Sequence, residues 1–329
     1  MTLHRRTCLG ALLGAALPAG AQAPAGAANV VDETWVDATR KQREVPVKLR
    51  WPDAAQHTGQ RPIVLFSHGL GGTRDGGNVW GEAWATAGLV VVHLQHAGSD
   101  LAAVRAAASS FADKEGLRSA AGPEQLLARL GDVGFVLDEI ARRHASAQGR
   151  WGNVRPTQVG LSGHSFGAHT TLGMAGQRYP GFEGVAEPRL AAFIAFSPSL
   201  PVVGDARRAV ERLIRPVLSI TGTRDQDVVG TGATPQRRMA VFGALPDGGN
   251  KAHLVLQDAD HMTFAGQTGR AVEIVPREQL TRDLQDMHHA AVAAITTDWW
   301  RATLLGDTRA RNRLVSPQGL RAGDLWQQK

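Results

Sequence analysis

Short, dense apolar runs recur along the chain after its first sixty residues. They are "PIVLFS" (62–67), "LVVVHLQ" (89–95), "TQVGLSG" (157–163), "LAAFIAFS" (190–197), "PVLSIT" (216–221) and "HLVLQ" (253–257). Runs of this kind suit strands covered on both faces of a parallel sheet. Parallel neighbours need a crossover, and helical stretches lie between the runs to supply it. These include "GEAWATAG", "PEQLLARLGDVGFVLDEIARRHA", "FGAHTTLGMAG" and "TPQRRMAVFGAL", with a last helix expected over 279–305. Ahead of them, "VVDETWVDATRKQREVPVKLRWP" alternates twice around a polar turn, which predicts an antiparallel hairpin. The expected fold class is α/β: a mostly parallel, doubly wound sheet with an N-terminal antiparallel hairpin.

The first residues have a different character. "MTLHRRTCLGALLGAALPAGAQA" carries Arg5-Arg6, an apolar run from Cys8 to Leu17, and then small residues. That is the layout of an export signal, and the run is too short to cross a bilayer as a helix. A cut after Ala21 is preferred to one after Ala23, which would leave the rigid Pro24 directly past the scissile bond. Twin-arginine export and an ordinary secretory signal fit the paired arginines equally well. The expected organisation is a signal peptide over 1–21, a flexible lead-in over 22–32 and one domain over 33–329. The expected location is periplasmic or secreted. Cleavage removes Cys8, the only cysteine, so the mature chain is expected to use neither disulfides nor thiol chemistry. Net charge is +6, but Lys and Arg are scattered, and no run of like charges marks a nucleic-acid surface. No second long apolar segment follows, so no membrane span is expected in the mature chain.

One stretch carries chemistry. "GLSGHSFGAHT" holds Gly163-His164-Ser165-Phe166-Gly167. A serine between glycines is weak evidence where 38 of 329 residues are Gly. Its setting adds weight: a buried strand runs into it and a small-residue helix leaves it, which is the setting of a nucleophile elbow. An activated serine needs a base, and the base needs an orienting acid. Past the strand "PVLSIT", the turn "GTRDQD" offers Asp225, with Asp227 as the alternative. Past "HLVLQ", the loop "DADHMTF" offers His261. The order Ser, Asp, His and the positions after strand ends are those of a triad on such a sheet. The oxyanion donors are expected to be the amides of Phe166 and of Leu70, in the Gly-rich loop "LFSHGLGGTRDGG". His68 reads as a brace for that loop. His93, His96, His288 and His289 read as packing or surface residues, and no spacing demands a metal.

Together "VLFSHGLGG", "VVVHLQHAGSD", "GDVGFVLDEI", "GLSGHSFGAHT", "SPSLP", "TGTRD" and "DADHMTF" resemble the platelet-activating-factor acetylhydrolase-like branch of the α/β-hydrolases. This is the bacterial group often called predicted dienelactone hydrolases. The resemblance runs over about 33–310. It implies Ser165 as nucleophile, Asp225 as acid, His261 as base, and the Leu70 and Phe166 amides as oxyanion hole. True dienelactone hydrolases use cysteine where this chain has Ser165, so their substrate does not carry over. The implied activity is metal- and cofactor-independent hydrolysis of carboxylic esters. The substrate would be a small or lipid-like ester, with a polymeric ester as an option. The rivals are an acyltransferase with the same triad and a noncatalytic binding protein of the same fold. Residues 98–131 are expected to give helical cover near the site, and Trp299 and Trp300 to belong to the core.

Overall fold

The computed structural model describes residues 29–110, 113–248, 250–269 and 275–329. The predicted export segment, 1–21, therefore lies outside the described residues. The strands are β1 Asn29–Asp37, β2 Arg43–Trp51, β3 Arg61–Ser67, β4 Val90–Leu94, β5 Val154–His164, β6 Leu190–Phe196, β7 Val217–Arg224, β8 Lys251–Asp260 and β9 Leu325–Gln328. They form one mixed sheet in the order β1-β2-β4-β3-β5-β6-β7-β8-β9. The strands from β4 across to β8 are parallel, while β1, β2 and β9 are antiparallel additions at the edges. The chain is α/β, as the apolar runs imply.

Two boundaries differ from the sequence reading. Residues 29–32, expected in the lead-in, are strand, because β1 pairs with β2 along its whole length from Asn29↔Trp51 to Asp37↔Arg43. β9 was not anticipated. Its "LWQQ" has no two-faced apolar pattern, and backbone pairing of an edge strand to β8 demands none.

The helices are α1 Asn78–Thr86, α2 Leu101–Ala107, α3 Lys114–Ser119, α4 Pro123–Ala145, α5 Phe166–Ala175, α6 Ala206–Val210, α7 Pro235–Ala244, α8 Gln279–Asp283, α9 Gln285–Leu304 and α10 Thr308–Val315. The helix expected over 279–305 is thus split at Leu284. α4 starts on Pro123 with Glu124 in its first turn and ends with Arg142, Arg143 and His144. Acid at the start and bases at the end oppose the helix dipole. Its buried stripe joins α5 and one sheet face, with Leu130, Val133, Val136 and Leu137 in that core. The other face is covered by α1 and α9, through Trp80, Trp84, Val292, Ile295, Trp299 and Trp300. Trp84 and Trp300 are fully buried and meet edge to face at 5.8 Å. Such pairs add about 0.5–1.5 kcal/mol beyond the area they bury. Among the described residues no helix is long and apolar enough to cross a membrane.

Strand order places the site. From β3 the chain moves outward to β4, then crosses back to β5 on the other side of β3. The loops after β3 and β5 therefore diverge, and a crevice opens beyond their C-terminal ends. The loops after β7 and β8 reach the same end of the sheet.

Candidate active site

Ser165 stands at the sharp turn between β5 and α5, with φ 55° and ψ −114°. A side chain rarely adopts this left-handed backbone, which costs on the order of 1–3 kcal/mol. The surroundings impose it. The Ser165 amide donates to the Phe196 carbonyl at the end of β6, at 2.9 Å, and its carbonyl accepts from Ala168 and His169. The flanking glycines are required by close approach. A Cβ on Gly163 would strike the Gly167 carbonyl oxygen, and one on Gly167 would strike the Ser67 carbonyl oxygen.

The residues expected to partner Ser165 come together around it. The Ser165 hydroxyl lies 2.9 Å from His261 Nε2, and His261 Nδ1 lies 2.7 Å from Asp225 Oδ1. The carboxylate can only accept, so Nδ1 carries the proton and Nε2 is left to accept from Ser165. Asp225 is sealed, His261 is nearly so, and Ser165 is half-buried. The chain of bonds thus opens at its serine end.

Asp225 is held on several sides. Thr221 Oγ1 donates to Oδ2 at 2.8 Å, and Arg238 Nε stands 3.0 Å from Oδ1. Burial pushes the Asp225 carboxyl up, but Arg238 and the His261 bond outweigh it and bring it to about 2. Asp227, the alternative acid, faces away from this task. Its carboxylate accepts the amides of Val229, Gly230 and Gly232 and folds its own loop.

His261 opens a short turn capped by Asp260, which accepts from the Thr263 amide at 2.9 Å while the Thr263 hydroxyl accepts from the Asp260 amide. His164 Nε2 donates to the His261 carbonyl at 2.9 Å. Burial, then the nearby His261, hold His164 well below the usual histidine range, so it acts as a neutral donor. His164 lies inside the elbow motif, yet nothing in the pattern assigns it a partner.

The loop after β3 brings Leu70 to the serine. Leu70 and Phe166 share a cavity wall with Ser165, and neither amide has a backbone acceptor among the described residues. His68 braces this loop, as read from the sequence. Its Nε2 accepts from the His96 amide at 3.0 Å, so Nδ1 bears the proton and donates to the Gly69 carbonyl at 2.6 Å. Arg129 of α4 grips the same segment, donating to the His68 carbonyl at 2.6 Å and to the Gly69 carbonyl at 3.4 Å.

A second serine–histidine–aspartate series lies behind the loop. Ser67 Oγ is 2.9 Å from His96 Nε2, and His96 Nδ1 is 3.0 Å from Asp132 Oδ2. All three are fully buried, and Ser67 borders none of the cavities around Ser165. Arg43 also clamps Asp132 with bonds of 2.6 and 2.9 Å. Hydrogen-bond geometry alone therefore does not mark a reactive serine here, and access separates the two. His93, His96, His288 and His289 are all buried, so of their two expected settings packing applies.

Two cavities meet at Ser165 and His261. One, of about 410 Å³, is walled by Leu126, Leu127, Phe166, Tyr179, Phe182 and Val229. The other, of about 440 Å³, is bordered by Leu101, Leu117, Met262 and Val275, with Asp75 and Arg105 near it. Segment 98–131 thus contributes to both walls through α2, α3 and the start of α4. Among the described residues no group of three or more His, Cys, Asp or Glu side chains is placed to hold a metal ion. No protein-family model matches the chain, and no curated protein matches it.

Proposed function

We propose that this chain is an exported serine hydrolase of the α/β-hydrolase fold that cleaves carboxylic esters. The observation that carries the reading is the continuous Ser165–His261–Asp225 series, with Ser165 on a strained turn facing two cavities. The resemblance to the acetylhydrolase-like branch supports it, motif by motif. Arg5-Arg6 and the apolar run after them support export.

Ser165 Oγ attacks the ester carbonyl as His261 Nε2 takes its proton. Asp225 fixes the imidazole tautomer and balances the imidazolium. The Leu70 and Phe166 amides receive the tetrahedral oxyanion. The intermediate collapses, His261 protonates the departing alcohol, and an acyl group remains on Ser165. Water, deprotonated by His261, then releases the acid. The two cavities fit an ester with a sizeable, largely apolar group on each side of the carbonyl.

A matched series of p-nitrophenyl esters of rising acyl length, run beside a soluble polyester, tests this reading. Turnover that depends on Ser165, together with fluorophosphonate labelling of Ser165, is the expected result. A wild-type chain that neither turns over any ester nor takes the label would overturn it. Acyl transfer is the second reading, because an acceptor alcohol would enter by the cavity that the leaving alcohol vacates. Product analysis with added alcohol separates transfer from hydrolysis.

A further inference from the structure

Arg129 is fully buried, and its hydrogen bonds among the described residues go to neutral oxygens. Nε donates to Ser99 Oγ at 2.8 Å and Nη1 to the His68 carbonyl at 2.6 Å, with a long contact of 3.5 Å to Ser67 Oγ. Nη2 donates to the Gly69 and Ser99 carbonyls at 3.4 and 3.5 Å. The 3.4 Å contact of Nη2 with His68 Nδ1 joins two donors and is no bond. Sealing a guanidinium without a hydrogen-bonded carboxylate is costly. Desolvation pulls its pKa down to about 9, against the more distant Asp132 and Asp100, so it stays a cation at neutral pH.

Its place explains its use. The Gly69 carbonyl and the Leu70 amide are opposite ends of one rigid peptide plane. Donors that hold the oxygen, here Arg129 and His68 Nδ1, fix the direction of the Leu70 N–H at the other end. They also polarise that peptide, which strengthens the N–H as a donor. The loop runs close to the nucleophile, since a Cβ added at Gly69 would lie 3.5 Å from Ser165 Cβ. The second donor residue touches the same cation: the Arg129 guanidinium carbon lies 4.3 Å from the centre of the Phe166 ring. One side chain thus contacts both segments whose amides would receive the oxyanion.

We propose that Arg129 is a positioning residue that presets the two-amide oxyanion hole, holding the Leu70 peptide by its carbonyl end and seating Phe166 against its face. This rests on the hydrolase reading above. Misplacing oxyanion donors by about 1 Å costs on the order of 10²-fold in rate. The loss falls on the transition state, so it appears in kcat and leaves KM nearly unchanged.

The test compares Arg129→Met and Arg129→Lys with the unaltered chain in ester hydrolysis, thermal melting and affinity for a boronic acid that mimics the tetrahedral intermediate. Arg129→Met is expected to lose about 10²-fold in kcat with KM within about twofold. Boronate affinity should fall in parallel. Arg129→Lys keeps the charge but cannot fork across two carbonyls, so it should lie between the two. Ser99→Ala, which removes the partner of Nε and a long 3.4 Å bond to the His96 carbonyl, should lose several-fold in kcat at unchanged KM, and it decides the matter if Arg129→Met does not fold. A folded Arg129→Met with wild-type kcat, or a Ser99→Ala with unchanged kcat in place of an unfolded Arg129→Met, overturns the positioning role. So does a loss confined to melting temperature. Ser165 labelling on the same samples separates the two readings. Label with full kcat in the variant refutes only the role of Arg129, whereas no label and no turnover in the unaltered chain refutes the hydrolase itself.

Discussion

Arg238 Nε stands 3.0 Å from Asp225 Oδ1, the same oxygen that accepts from His261 Nδ1 at 2.7 Å. A permanent cation and an imidazole thus share one buried carboxylate oxygen. Arg238 also donates from Nε to the Asp225 carbonyl at 3.0 Å and from Nη1 to the Ser197 carbonyl at 2.5 Å. It therefore fixes the backbone and the charge of Asp225 together. Arg238→Met should leave that charge uncompensated and destabilise the fold by about 3–5 kcal/mol. Urea unfolding measures this. A loss under about 1 kcal/mol would mean that water or another group replaces the guanidinium.

The two neighbouring aspartates can be separated kinetically. Asp225→Asn disturbs the His261 tautomer and should lower kcat by about 10³–10⁴-fold. Asp227→Asn keeps an oxygen for the amides of Val229, Gly230 and Gly232, and kcat should stay within a few-fold. The opposite ranking, measured on the same ester, would transfer the role to Asp227.

The two serines form a matched experiment, because each donates to a histidine held by an aspartate. Ser165→Ala should fold normally and lose about 10³-fold or more in turnover. Ser67→Ala should keep kcat within a few-fold but strand the buried His96 Nε2, at a cost of about 1–3 kcal/mol. Turnover lost equally in both variants would show that access is not what distinguishes them.

The parts of this structure legible in the sequence are those where one property governs the outcome. β4 is buried throughout and β3 from Pro62 onward, so apolar density reveals them. Ser165, Asp225 and His261 follow strand ends, so strand order brings them together. Arg129 and Arg238 were not anticipated, because an arginine on a helix ordinarily faces water. A signal existed for Arg129: with Val133, Val136 and Ile140 it falls on the buried stripe of α4 at helical spacing. A charge in register with such a stripe must be gripping something polar beneath the helix. Arg238 gives no comparable signal, since it acts on a residue of the preceding loop that only the folded backbone brings close.

Acid stability is the last expected outcome, and it follows from histidines far from the reaction as well as near it. Burial holds His93 at about 3, and His96, His169 and His253 at about 4. In the unfolded chain each binds a proton near pH 6.5. Between about 6.5 and 4 the unfolded state therefore takes up protons that the folded state refuses, and stability falls as pH falls. Above that window the contribution is complete. Asp132 and Asp225, both held at about 2, add a second loss between about 3.8 and 2. Unfolding free energy should be level above about pH 7 and then fall with a slope equivalent to more than one proton per molecule. His253→Gln makes a direct check. Its Nδ1 donates to the Ser219 carbonyl at 3.1 Å, and its ring stacks on Phe242 at 5.3 Å, away from Ser165. The variant should flatten the slope over pH 4–6.5 by about one proton without changing kcat. An unchanged slope would mean that His253 is protonated in the folded protein, contrary to the desolvation its burial imposes.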